Sequence, residues 1–153
     1  MTEKPINLKH KALDFLSRRE YSYLELFNKL RKYSTDETAI KNLLDELQAK
    51  KYLSDERYIE SFINSKSKKY GSRKIKYLLN SKVKDSALIE QIYASNNTDE
   101  LAQAKQIWQR KFAGLPAQDH KEKARQIRFM LNRGFSMDII QKIINVTCEE
   151  DEI

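Results

Sequence analysis

The sequence predicts an all-α protein, an elongated array of three tandem three-helix repeats. Three observations carry that expectation. The 153 residues include only three Gly and two Pro, too few for the tight turns of an all-β fold. Apolar residues recur at three- and four-residue spacing, and no strand-like alternation persists. Helix-start signals recur along the chain and mark out nine helices in three groups of three. At this length a folded chain buries about 70% of the surface it exposes when unfolded, so a core needs neither disulfide nor metal.

The elements follow in order. Helices are expected over 8–19, 23–32, 36–50, 55–69, 73–81, 86–94, 98–112, 120–133 and 137–147. Ser22 with Glu25 has the S-x-x-E spacing of a capping box, as does Ser34 with Glu37. Asn97 with Glu100 and Asp119 with Glu122 repeat that spacing with other caps. Ser54 or Asp55, Ser72, Asp85 or Ser86, and Ser136 cap the remaining starts. Gly71 and Gly134 fall where helices end or restart, and "AGLPAQ" at 113–118 reads as a loop. The core stripes are Leu26, Phe27 and Leu30, then Ile40, Leu43, Leu44 and Leu47, then Tyr58, Ile59, Phe62 and Ile63. Trp108, on an amphipathic helix, reads as core.

The groups of three are related. Shifted by 52 places, Ile75, Leu79 and Val83 meet Ile127, Leu131 and Phe135, while Arg73, Tyr77 and Asn80 meet Arg125, Phe129 and Asn132. In the first group Leu26 and Leu30 match Ile75 and Leu79, with a one-residue insertion required before Ile40. The expected organisation is a first repeat over 1–53, a basic second repeat over 54–96, a third over 97–147 and an acidic tail over 148–153. Each repeat is small, so stacking on its neighbour extends the core.

Charge narrows the function. The chain carries +7 overall; outside "EEDE" at 149–152, 29 basic residues face 18 acidic ones, or +11. A positive field attracts polyanions. Residues 64–84 hold eight basic side chains and no acid, whereas a merely solvated helix mixes signs for i,i+4 pairing. On a helical wheel Ile75, Leu78, Leu79 and Val83 share one side, with Arg73, Tyr77, Asn80 and Lys84 opposite. Tyr77 and Phe129, aromatic at outward positions, need a partner: a neighbouring helix, a protein, or a stacked base. Lysine-rich contact of this kind suits phosphates rather than base reading.

Catalysis finds no support. His10 and His120 stand alone in polar surroundings, Cys148 has no disulfide partner, and there is no zinc cluster, H-E-x-x-H or phosphate loop. No cofactor or metal is expected. Without a secretory h-region or a long apolar run, the expected compartment is the cytoplasm.

One stretch is recognisable. "KKYLSDERYIESFINSKSKKYGSRKIKYLLNSKVKDSALIEQI" at 50–92 resembles the RecX family of regulators of the bacterial recombinase RecA. The likeness rests on Tyr52 through Tyr58 around Asp55, then Lys66 to Lys69, Gly71, Lys74–Ile75 and Leu79. Upstream, Arg19, Ser22, Glu25, Leu26 and Leu30 in "RREYSYLELFNKL" match a further family string. The resemblance spans about 12–145 and is strongest in the middle. Two glycines usual in the family are absent: Lys51 stands after the third helix, and Val83 near the second repeat's turn.

The resemblance implies a non-enzymatic regulator in DNA repair, recombination and the SOS response. Such a protein binds RecA and the RecA–DNA filament and restrains recombinase, ATPase and coprotease activity. From the lysine-rich run any DNA contact is expected to be non-specific, and from the repeat organisation the chain is expected to be a monomer. The candidates for contact with RecA or DNA are Arg19, Lys66, Lys68, Lys69, Arg73, Lys74, Tyr77, Lys84, Arg125, Arg128 and Phe129. The alternative is a free-standing, sequence-neutral single-stranded DNA-binding protein.

Overall fold

The computed structural model describes residues 7–96 and 99–149, with side chains described as far as Ile144. Among the described residues there are nine helices and no strand: α1 (Leu8–Arg18), α2 (Tyr23–Leu30), α3 (Glu37–Ala49), α4 (Asp55–Lys66), α5 (Ser72–Asn80), α6 (Ser86–Ser95), α7 (Glu100–Phe112), α8 (His120–Asn132) and α9 (Met137–Glu149). The chain divides into two compact units, 1–62 with 79–92, and 63–78 with 93–153. Residues 150–153 of the acidic tail, Asn97, and the side chains of Cys148 and Glu149 lie outside the described residues.

In the first unit α1, α2 and α3 pack around Ala12, Tyr21, Leu26, Leu30, Ile40, Leu44, Leu47 and Leu53. Each fully buried leucine there contributes about 1.5–3 kcal/mol relative to exposure. Ser22 starts α2 with both halves of a capping box: its hydroxyl accepts from the Glu25 amide, and the Glu25 carboxylate accepts from the Ser22 amide. Ser34 does not cap α3. Asp36, directly ahead of the helix, accepts from the Ala39 amide instead, bringing negative charge to the N-terminal dipole, and the Ser34 hydroxyl receives the Asp36 amide.

The end of α3 answers one sequence departure. Lys51 adopts φ +64°, the left-handed conformation that closes a Schellman motif. The Tyr52 amide bonds to Leu47 O at 2.9 Å, and the Lys51 amide to Gln48 O at 3.0 Å. A lysine here bears the left-handed conformation that favours glycine.

In the second unit α7, α8 and α9 enclose Ala104, Ile107, Trp108, Phe112, Met130, Phe135, Ile140, Ile143 and Ile144. Trp108 is core, as its pattern predicts. Its indole N–H donates to Gln126 Oε1 at 3.0 Å, and Gln126 Nε2 donates to Leu115 O at 3.2 Å. A buried amide is accepted at this apolar slot because both of its ends are paired. Asp99 caps α7 through the Ala102 amide, and Asp119 caps α8 through the Glu122 amide. Asp85 and Ser136 cap α6 and α9.

Burial corrects the register of the repeat. The buried residues of α5 and α6 are Ile75, Leu79, Ile89 and Ile92; 51 places on stand Gln126, Met130, Ile140 and Ile143, all buried. The expected shift of 52 holds only for Val83 and Phe135; Leu131, which it pairs with Leu79, is 39% exposed. Toward the N-terminus, a constant shift of 49 carries Leu26, Leu30 and Ile40 onto Ile75, Leu79 and Ile89, so no insertion is needed before Ile40. In "QIRFMLN" each buried position, Gln126 and Met130, is followed directly by another apolar residue, Ile127 and Leu131, so a shift one place too long also matches apolar residues, and a buried glutamine reads as a surface one.

Candidate nucleic-acid interface

The acid-free run is organised around the start of α5. A helix N-terminus exposes four amides without intrahelical partners. Here the Gly71 amide donates to Arg133 O at 2.6 Å, the Ser72 amide to Glu100 Oε1 at 2.9 Å and the Arg73 amide to Gly134 O at 3.1 Å. Ser72 is thus the first helical residue rather than the cap, since Glu100 supplies the acceptor. The α8–α9 turn approaches so closely that a Cβ on Gly71 would lie 2.5 Å from Gly134 O, and one on Gly134 2.5 Å from Lys74 Cβ. Gly134 also sits at φ +96°, closing a Schellman motif through Phe135 and Met130.

This junction sets Lys68, Lys69 and Tyr70 beside α7 and α8. Together they line a cleft of about 440 Å³ whose further cations are Arg110, Lys111 and Arg133. Phe129 supplies a second aromatic wall, and among the described residues no carboxylate lines the cleft. The Arg133 guanidinium lies 5.7 Å from the Tyr70 ring centre and 5.1 Å from that of Phe129, while Lys111 lies over Phe129 at 5.3 Å and Lys74 over Tyr70 at 5.2 Å. Among the described residues none of the five lining cations has a carboxylate within ion-pair distance.

The sequence-derived candidates separate accordingly. Lys68, Lys69 and Phe129 meet in the cleft, and Lys74 reaches its Tyr70 wall. Arg73 and Arg128 are exposed, and Tyr77 is 75% exposed. Lys66, partly buried, ends α4 in this unit. Arg125 is held by Glu122 through two bonds of 2.9 and 2.8 Å. Hydrogen bonding to Arg125 sets the Glu122 carboxyl below its ordinary pKa. Phe129 is not outward: it is half-buried, packed edge-on to Phe112 at 5.4 Å. With the shift of 51, the counterpart of Tyr77 is Arg128. Tyr70, Arg110, Lys111 and Arg133 are not singled out by the sequence; Arg110 and Lys111 lie 26 and 27 residues beyond Lys84, the end of the basic run, and only folding brings them to it.

In the first unit Lys84 is exposed. Arg19 is committed internally, its guanidinium 3.7 Å above the Tyr21 ring and 3.5 Å from Glu25. Burial opposes its charge, but Glu25 and Tyr21 outweigh that and raise its pKa.

Comparison with known proteins agrees with this architecture. The family models "RecX, first three-helix domain" and "RecX, third three-helix domain" match residues 9–47 and 98–144. Regulatory protein RecX of Chromobacterium violaceum is 39% identical over 145 residues, covering 95% of this chain and 93% of that one. This chain belongs to the RecX family. Regulatory protein RecX of Herminiimonas arsenicoxydans is 37% identical over 152 residues, 99% of this chain and 100% of the relative. The crystal structure of RecX from Lactobacillus salivarius shares the fold, with a TM-score of 0.79 and 22% identity over 93% of this chain and 95% of that one.

Of the RecX-like residues quoted from the sequence, Arg19, Ser22, Glu25, Asp55, Arg57 and Tyr58 lie in the first unit. Besides Arg19, Glu25 draws in Lys82 at 3.7 Å. Asp55 accepts the Tyr23 amide at 2.8 Å, and Arg57 pairs with Glu20 at 3.1 Å. Burial, then the Glu25 charge, pushes the Tyr58 phenol above its ordinary pKa. These RecX residues hold the starts of α2 and α4.

Proposed function

We propose that this chain binds RecA and its nucleoprotein filament and restrains recombinase, ATPase and coprotease activity in DNA repair, recombination and the SOS response. Membership of the RecX family is the observation that carries the reading. The acid-free run 64–84 supports it, since a cationic surface is attracted to a filament carrying DNA phosphates. A helical array seated along the filament groove would touch neighbouring RecA subunits and hinder strand exchange or favour loss of subunits. We place this activity in the cytoplasm, with the chain acting as a monomer.

The deciding experiment is RecA's ssDNA-dependent ATP hydrolysis with and without this protein. Hydrolysis falls under this reading. Unchanged hydrolysis at concentrations that saturate ssDNA would overturn it in favour of a free-standing single-strand binder. Arg73→Glu with Lys74→Glu should weaken recovery of the protein on RecA filaments; unaltered recovery removes the α5 run from the interface.

A further inference from the structure

We propose that the cleft between Tyr70 and Phe129 is a stacking site for one unpaired nucleotide of a single strand, with the flanking phosphates on Lys68, Lys69, Arg110 and Lys111. It deepens the reading above by naming the ligand of that cationic surface, and it stands without RecA.

Three features point to a nucleotide unit. The cleft, about 440 Å³, falls within the roughly 300–1,000 Å³ typical of small-ligand sites. Among the described residues its five lining cations face no lining carboxylate, the charge pattern of a phosphate site rather than of a solvated face. Its walls offer flat surfaces as well as charge: Tyr70, Phe129 and, between them, the Arg133 guanidinium at 5.7 and 5.1 Å from the two ring centres. Unstacked bases lie against aromatic rings or arginine planes of this kind. An acidic peptide would use the cations but gain nothing from the planes. Duplex DNA keeps its bases stacked and cannot offer one to the cleft.

The position is also braced. Gly71 and Ser72, next to Tyr70, are fixed by Arg133 O and Glu100, and Arg133 closes α8 through its amide bond to Phe129 O. Side-chain changes at Tyr70 and Arg133 leave these backbone bonds in place, so the site can be probed without dismantling the fold.

The test uses the full chain, no RecA, and fluorescence anisotropy with a labelled oligothymidylate. Tyr70→Ala with Arg133→Ala should weaken binding by about tenfold or more, the loss of stacking for one base. Arg110→Ala with Lys111→Ala should lower the log–log salt slope by about 1.4, two single-strand phosphate contacts. Lys32→Ala with Lys41→Ala, exposed lysines of the first unit, should change affinity less than twofold. An iodouracil-substituted strand should photo-cross-link to Tyr70 or Phe129.

Equal losses in the control, or cross-links elsewhere, overturn the site. If polyglutamate competes as well as the strand, the occupant is an acidic protein segment; if ATP binds as tightly as the strand, the cleft is a free-nucleotide site. Each of these also overturns the proposal. RecA's ATPase, read separately with the same variants, keeps failure here distinct from failure of the RecA reading.

Discussion

Asp55 accepts the backbone amide of Tyr23 at 2.8 Å, joining the first residue of α4 to the first residue of α2. In the second unit Glu100, first residue of α7, accepts the amide of Ser72, first residue of α5, at 2.9 Å. Tyr23 and Ser72 are 49 residues apart, the shift that relates the buried residues of α2 and α5. In both places an acid opening one triplet caps the second helix of the triplet before it. The carboxylate satisfies an orphan donor and faces the positive helix end.

Asp55→Ala and Glu100→Ala should therefore each destabilise the protein by about 1–2 kcal/mol, the cost of losing a charged cap. Urea denaturation measures this. Asp55→Asn should lose less, since it keeps an acceptor and forfeits only the charge. Equal stability of all variants with the parent would show that the two bonds contribute nothing.

Gly134 faces two constraints at once, φ +96° and the closeness of Lys74. Gly134→Ala should cost about 2 kcal/mol or more, from left-handed strain and steric displacement. Gly71→Ala meets the Gly134 carbonyl and should also destabilise. Loss of amide protection at Gly71 and Arg73, read by hydrogen exchange, would accompany either change.

Lys51 is the converse case. A lysine at φ +64° bears strain that glycine would not, and its side chain is exposed. Lys51→Gly should stabilise by about 1 kcal/mol, seen as a raised thermal midpoint. A lowered midpoint would contradict the strain argument.

Glu122 titrates below the ordinary carboxylate range because it is bonded to Arg125. A depressed carboxyl pKa adds stability above the unfolded value, and this is lost as pH falls through the folded one. The effect on global stability is small at so exposed a pair, so the measurement is the Glu122 carboxyl shift by NMR. Arg125→Ala should move its midpoint upward. As Glu122 already occupies Arg125, that variant should also weaken polyanion binding less than Arg110→Ala with Lys111→Ala.

Much of this molecule was legible in the chain. Local rules set by neighbouring residues placed the nine helices, because capping and three-to-four periodicity act over a few positions. They found Ser22 and Asp119 as caps, and Trp108 as core. They missed where a competitor lay nearby: Asp36 displaced Ser34, since a charged acceptor next to the helix start serves the dipole better.

The sequence by itself determined the helical class, the triplet order, the family likeness and the acid-free run at 64–84. Only the tertiary structure decided the register of the repeat, because a buried glutamine paired to Trp108 and Leu115 is indistinguishable from a surface one until its partners are in place. Only it joined Arg110, Lys111 and Arg133 to Lys68, Lys69 and Tyr70. Charges far apart along a chain become a binding surface through packing, and here that packing depends on two backbone turns close enough that neither Gly71 nor Gly134 has room for a side chain.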